Sequence, residues 1–246
     1  MAKYEAQAKP KSPRWVWVVV LVGFIVVGIV AAANLIPAWL AYRAAQEEYD
    51  DLRVYAPQGE DPEAEDPLAE EKARIAELVA INPDFVGWIR IEGTGIDYPV
   101  VRGKDNDFYL YRTFTGESNG SGSIFMDFRN RTGFDGAHAI LYGHAMRDGS
   151  MFAALRQFLS LDFLAAHPTI SITGLDAVTV TYRIVTVRSS SIYDEVYNLP
   201  DGARAELAAY LDEIGAPTNA TLLALSTCIN VDTTHDDRLL ILAIRQ

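Results

Sequence analysis

The stretch Leu222-Leu223-Ala224-Leu225-Ser226-Thr227-Cys228 is an apolar run that ends at the only cysteine of the chain. A run of this length predicts a β-strand over residues 222–227, with Cys228 at its end. Seven further short runs, rich in β-branched and aromatic residues, are separated by Gly, Asp and Asn. They cover residues 86–91, 96–101, 122–126, 137–142, 169–173, 177–187 and 239–244. Eight predicted strands favour a β-barrel or a β-sandwich.

Three predicted helices accompany these strands. They cover residues 67–81, 150–158 and 201–214. The first ends at Asn82-Pro83, because a residue before proline disfavours helical backbone. The second follows the capping candidates Asp148 and Ser150, and the third repeats apolar side chains on one helical face. The expected fold class is therefore α+β, mainly β with peripheral helices.

An uncharged apolar segment near the N-terminus, residues 15–42, predicts a membrane-spanning helix. Its 28 residues would reach about 42 Å as a helix, more than the roughly 30 Å hydrocarbon core of a bilayer. Aromatic residues near both ends are typical of a membrane interface, and these are Trp15, Trp17, Trp39 and Tyr42. Pro37 is expected at or just past the outer end. The apolar run is longer than the roughly 7 to 15 apolar residues of a cleaved signal peptide. This length favours an uncleaved signal anchor over a cleaved signal peptide.

Charged residues on the two sides of this segment predict its orientation. Lys3, Lys9, Lys11 and Arg14 precede it, whereas Arg43 and then mainly acids follow. By the positive-inside rule, residues 1–14 are expected in the cytoplasm and the globular part outside. The sequence thus predicts a single-pass type II protein of the cell membrane, with an extracellular domain over residues 68–246.

The acidic residues are concentrated in one segment. The 246-residue chain has a formal net charge of −12, and residues 47–71 hold eleven acids and one base. With Pro57, Pro62 and Pro67, this composition predicts a solvated, extended spacer over residues 43–67, in preference to a calcium-binding segment. The rest of the chain is nearly neutral. Since no basic field is present, nucleic acid is not an expected partner.

The single cysteine excludes an internal disulfide framework and a multi-cysteine zinc site. Cys228 is therefore a buried structural thiol or a reactive one. A reactive thiol needs a group that favours the thiolate, and an imidazole can do this and also protonate a departing amine. Four histidines are available, namely His138, His144, His167 and His235. His144 follows the predicted strand 137–142, and Arg238 is a candidate donor to an oxyanion ten residues after the cysteine.

These residues resemble the catalytic signature of the sortases, Gram-positive cysteine transpeptidases with an eight-stranded β-barrel. The signature comprises Leu225-Ser226-Thr227-Cys228, Arg238, and Leu141-Tyr142-Gly143-His144 upstream. Residues 82–89, 96–101 and 122–130 and the predicted helix 201–214 resemble class B sortases in order and spacing. The resemblance extends from about residue 68 to the C-terminus and implies a sortase-type barrel.

The resemblance also implies roles for individual residues. Cys228 would attack the threonine carbonyl of a sorting signal and form a thioester. His144 would protonate the leaving glycine amine and later deprotonate the incoming amine, while Arg238 would hold the substrate backbone and stabilise the oxyanion. Four further residues are expected in the substrate pocket, namely Asn106, Tyr142, Ser226 and Thr227. The family chemistry implies neither a metal nor a cofactor.

The implied partners are surface proteins with a C-terminal sorting signal of the Asn-Pro-X-Thr type or a related one. The acceptor would be the amine of a lipid II-type wall precursor, or else a pilin lysine. The same residues are also compatible with a hydrolytic thiol peptidase and with a catalytically silent surface-binding module. Two residues depart from the family pattern: Ala224 replaces a common threonine, and Ile229 stands where class B members often carry an acid. These departures bear on the sorting motif more than on the reaction.

Overall fold

The computed structural model describes residues 13–58, 66–199, 202–228 and 236–246. The chain forms two compact units, Met1–Arg43 and Ala44–Gln246. Helix α1 covers Arg14–Leu52. This helix is long and apolar enough to cross a membrane. Pro37 lies inside α1, and its position relative to the end of a membrane span stays a prediction.

The second unit contains a closed barrel of eight strands. The strands are β1 (Phe85–Arg90), β2 (Asp97–Val101), β3 (Ile124–Met126), β4 (His138–Tyr142), β5 (Thr169–Thr173), β6 (Thr179–Ser191), β7 (Leu222–Cys228) and β8 (Asp237–Arg245). Around the barrel their order is β1-β2-β3-β4-β7-β8-β6-β5. All eight predicted strands are confirmed, and the closed order excludes a sandwich.

Strand β7 lies between a parallel and an antiparallel neighbour. It pairs parallel with β4 and antiparallel with β8. The carboxyl ends of parallel strands meet at one edge, and an antiparallel neighbour begins at that edge. The ends of β4 and β7 and the start of β8 therefore share one edge of the barrel.

Side chains of β7 alternate between two apolar layers. Leu223 and Leu225 pack in the barrel interior, whereas Leu222 and Ala224 pack in a second cluster. That cluster includes the buried side chains of helix α4 (Arg204–Glu213). Both faces of β7 are covered, which fits its apolar residues from Leu222 to Leu225. Ala224 is fully buried, so its methyl group fills space under α4.

The other helices agree only partly with their predictions. Helix α2 (Pro67–Ile81) has the predicted bounds, and Asp66 caps it by accepting from the Ala69 amide at 3.0 Å. The helix predicted over residues 150–158 is a 3-10 helix over Phe152–Leu159. The sequence did not predict the short helix α3 (Leu161–Ala166) that follows it.

The acidic segment is not extended where the structure describes its first part. Helix α1 runs on to Leu52 and a 3-10 turn follows at Arg53–Tyr55. Ala45, Tyr49, Leu52 and Ala56 are buried, and the Tyr49 hydroxyl donates to the Gly122 carbonyl at 2.7 Å. Their spacing of three and four residues forms a helical apolar stripe that the surrounding acids obscured. Residues 59–65 lie outside the described residues.

Candidate active site

A groove of about 440 Å³ opens at the barrel edge where β4 and β7 end. All seven residues singled out from the sequence line it. They are Asn106, Tyr142, His144, Ser226, Thr227, Cys228 and Arg238. The structure therefore brings together side chains that are up to 132 positions apart in the chain.

Cys228 and Arg238 are direct cross-strand partners. Cys228 ends β7, and the antiparallel register places it opposite Arg238 on β8. Such pairs project to the same face of a sheet, with Cβ atoms about 4.5–5.5 Å apart. The Cys228 thiol is half-buried and not in a disulfide. The Arg238 guanidinium donates from Nη1 to the Asp237 carbonyl at 3.2 Å.

His144 is fixed by its ring and by its backbone. Its Nε2 lies 2.7 Å from the Leu110 carbonyl oxygen, and its own carbonyl accepts from the Phe152 amide at 2.8 Å. The ring of Tyr111 lies 5.7 Å from the imidazole, centroid to centroid. Because a carbonyl oxygen can only accept, Nε2 carries the hydrogen in this bond. Nδ1 is then the ring nitrogen left to exchange a proton.

The remaining predicted histidines do not line the groove where they are described. His138 is buried beside Asn130, and His167 packs against the ring of Phe163 at 4.6 Å. His235 and Ile229 lie outside the described residues. Within the described ranges, no group of three or more His, Cys, Asp or Glu side chains could hold a metal ion.

Two hydrogen bonds join the turn before His144 to the end of β7. Thr227 Oγ1 donates to the Gly143 carbonyl at 2.7 Å, and the Gly143 amide donates to the Ser226 carbonyl at 3.3 Å. These bonds fix the backbone on which His144 and Cys228 are carried. The side chain of Thr227 thus contributes to the site by holding the two strand ends together.

Close packing around residue 143 leaves no room for a side chain larger than that of glycine. A Cβ built there would lie 2.5 Å from Ile124 Cδ1 and 2.9 Å from the Phe152 ring. We expect Gly143→Ala to lower the free energy of unfolding by about 1–3 kcal/mol, as overpacking does, and to slow turnover by displacing His144. Gly95→Ala is the matched control, since a Cβ at Gly95 meets nothing within 4 Å. Equal stability of the two variants in a denaturant titration would contradict this packing argument.

Several groove residues were not found from the sequence, among them Tyr197 and Ile192. Tyr197 and Ile192 come from the connection between β6 and β7. The Tyr197 hydroxyl lies 2.8 Å from Ser226 Oγ, and its ring stacks on that of Tyr142 at 6.3 Å. Burial raises the pKa of the Tyr197 hydroxyl, so it stays protonated as a hydrogen-bonding group. No motif in the sequence marked this tyrosine.

Two predicted pocket residues share one carboxylate behind the groove wall. Asn106 Nδ2 and the Tyr142 hydroxyl each donate to Asp127 Oδ2 at 3.0 Å. The side-chain oxygen Oδ1 of Asn106 accepts a hydrogen bond from the Phe128 backbone amide at 3.0 Å. Desolvation raises the pKa of the Tyr142 hydroxyl, and the nearby Asp127 charge raises it further. Asp127 lay within the motif 122–130, but its sequence position gave no sign of these partners.

Comparisons with known proteins agree on one family. A family model described as the sortase domain matches residues 89–246. Sortase B of Listeria monocytogenes is 37% identical over 168 residues, which cover 65% of this chain and 68% of the relative. Sortase B of Staphylococcus aureus is 29% identical over 181 residues, or 70% of this chain and 74% of the relative. A mutant form of Clostridium perfringens sortase B superposes with a TM-score of 0.72 at 29% identity, covering 82% of this chain and 98% of that one.

Proposed function

The chain belongs to the sortase family, in class B, and we propose that Cys228, His144 and Arg238 make it a cysteine transpeptidase of the cell envelope. Its substrates are surface proteins with a C-terminal sorting signal. The single observation that carries the proposal is that the end of β7, the start of β8 and the turn after β4 present these three side chains to one groove.

The first half of the reaction forms a thioester. The Cys228 thiolate attacks the carbonyl carbon of threonine in the sorting signal, so a sulfur–carbon bond forms and the carbonyl oxygen becomes an oxyanion. Arg238 donates hydrogen bonds to this oxyanion from its planar guanidinium. When the intermediate collapses, the carbon–nitrogen bond breaks, and His144 gives its proton to the leaving amine.

The second half transfers the acyl group. An amine from a wall precursor of the lipid II type attacks the thioester carbonyl while His144 takes one of its protons. The carbon–sulfur bond then breaks and returns the Cys228 thiolate. The new amide joins the surface protein to the wall. Asn106, Tyr142, Ser226 and Thr227 form the pocket that holds the sorting signal, which is of the Asn-Pro-X-Thr type or a related one.

The apolar part of α1 is proposed as a signal anchor. Residues 15–42 span the bilayer once, with residues 1–14 in the cytoplasm and the barrel outside the cell. The length and hydropathy of α1 support this proposal, as does the cluster of Lys and Arg before the span. The acceptor and the substrate are both found on that side of the membrane.

The proposal is tested with the full chain in detergent micelles or vesicles. Peptides that carry different sorting motifs are incubated with and without an amine acceptor, and the products are weighed. We expect an amide-linked product with at least one motif and a slower hydrolysis product without amine. If hydrolysed peptide alone forms with every amine, the protein is a thiol peptidase. If no peptide is cleaved or captured as a thioester, the transpeptidase proposal is wrong.

A further inference from the structure

Asp127 is a buried carboxylate directly after β3, with 1% of its surface exposed. Arg129 donates to Oδ1 from Nε at 2.8 Å and from its backbone amide at 2.9 Å, and to Oδ2 from Nη2 at 2.7 Å. Asn106 and Tyr142 supply two more hydrogen bonds to Oδ2. A carboxylate has about four lone-pair sites, so these five donors saturate it.

The charge of Asp127 is maintained by these donors. Burial by itself would raise the pKa of the carboxyl, but hydrogen bonds from Arg129 and then Asn106 outweigh it and hold the pKa below its usual value. Asp127 is therefore an acceptor at neutral pH. A buried charge is tolerated only when it is paired and hydrogen-bonded, as this one is.

Asp127 stands behind the groove wall, and two of its donors form that wall. Asn106 and Tyr142 line the groove, whereas Asp127 is not among its lining residues. An ionised carboxylate can only accept, so the Tyr142 hydroxyl hydrogen is committed to Asp127 and toward any other group its oxygen can only accept. Asn106 gives one Nδ2 hydrogen to Asp127 and accepts from Phe128 with Oδ1, so its second Nδ2 hydrogen is left as a donor.

The same network reaches a third groove residue. Arg129 Nη2 donates to the Tyr197 carbonyl at 2.8 Å as well as to Asp127. The ring of Tyr197 stacks on Tyr142. Asp127 and Arg129 together therefore contact three separate segments of the wall.

We propose that Asp127 is a positioning residue that sets the hydrogen-bonding polarity of the groove, with Tyr142 as an acceptor and Asn106 as a donor toward an extended peptide. An extended backbone offers N–H and C=O groups in alternation, which such a wall matches. The inference rests on the proposed function, since it concerns how the sorting signal is held. It assigns Asp127 no contact with the reacting atoms.

The test uses backbone analogues of a sorting peptide with the full-length wild-type protein and Asp127→Asn. In each analogue one amide, other than the scissile one, is replaced by an ester, which deletes a single N–H donor. For the wild type, one such ester is expected to raise KM about tenfold with little change in kcat. A tenfold change corresponds to the loss of about one hydrogen bond. For Asp127→Asn, KM is expected to be raised already for the parent peptide, and the same ester is expected to add less than twofold.

Tyr142→Phe provides a second variant in case Asp127→Asn does not fold. It leaves the carboxylate with Arg129 and Asn106, and it is expected to lose the same ester effect. Alkylation of Cys228 by iodoacetamide should proceed at the wild-type rate in both variants, because neither change touches the thiol. A role confined to stability would lower the melting temperature and leave the ester effect intact, and this result would overturn the proposal. Failure of the wild type to cleave any peptide would instead count against the proposed function.

Discussion

Cys228→Ala is expected to abolish cleavage and transfer of sorting peptides, with turnover reduced by at least about 1,000-fold, because loss of a catalytic nucleophile typically costs that much or more. No other cysteine is present in the chain to replace it. The measurement is product formation by mass spectrometry, together with a search for the covalent thioester in the wild type. The variant should fold normally, since Cys228 is only half-buried at the end of β7.

A thiol-directed sulfonate reagent provides the control for this variant. Labelling of the wild type at a single site, absent in Cys228→Ala, would show that the thiol is accessible and reactive. Wild-type transfer by Cys228→Ala would contradict the nucleophile assignment. If the reagent does not label the native protein and Cys228→Ala leaves the cellular function intact, a catalytically silent binding module is favoured.

The strands were predictable because their signals are local. Residues 169–173 were predicted with the bounds that the structure has, and β7 differs by one residue. In both, short apolar or β-branched runs between turn residues match the period of a strand. The helix type of Phe152–Leu159 was not predictable in the same way. Capping candidates mark where a helix starts, and they do not separate three residues per turn from 3.6.

The first part of the acidic segment was mispredicted because net charge dominated its composition. Glu47, Glu48, Asp50 and Asp51 suggested a solvated spacer. The stabilising contacts come from Tyr49 and Leu52, which are buried against the barrel unit. The stripe is recognised only when apolar residues three and four positions apart are compared, as on one face of a helix.

Seven residues that line the groove could be named from the sequence, but the contacts between them could not. Cys228, His144 and Arg238 could be named from motifs, whereas their meeting depends on the strand order β4-β7-β8. The parallel pairing of β4 and β7 joins the segments of His144 and Cys228, which are 84 positions apart. The antiparallel pairing of β7 and β8 joins Cys228 to Arg238, ten positions further on. Tyr197 and Asp127 enter the site through bonds to residues 29 and 21 positions away, Ser226 and Asn106. The number of residues between two positions of a single sequence does not show whether their side chains form such a pair.

Arg238→Gln is expected to lower kcat/KM for a sorting peptide by about 100- to 1,000-fold, as removal of an oxyanion donor does. Arg238 lies opposite Cys228 on β8, so its side chain projects to the face on which the sulfur–carbon bond forms. Glutamine keeps an NH2 group with two donor hydrogens but removes the charge. Arg238→Lys keeps the charge and loses the planar fork, so an intermediate loss is expected.

Alkylation of Cys228 distinguishes an oxyanion role from an effect on the thiol. Iodoacetamide reacts at a saturated carbon, and this reaction develops no oxyanion on a carbonyl. If Arg238 acts on the tetrahedral intermediate, Arg238→Gln should slow peptide turnover strongly and change the alkylation rate less than about threefold. An equal loss in both reactions would assign Arg238 to thiolate stabilisation instead. Unchanged turnover would remove Arg238 from the active site altogether, because an arginine that merely paired strands β7 and β8 would affect stability and not rate.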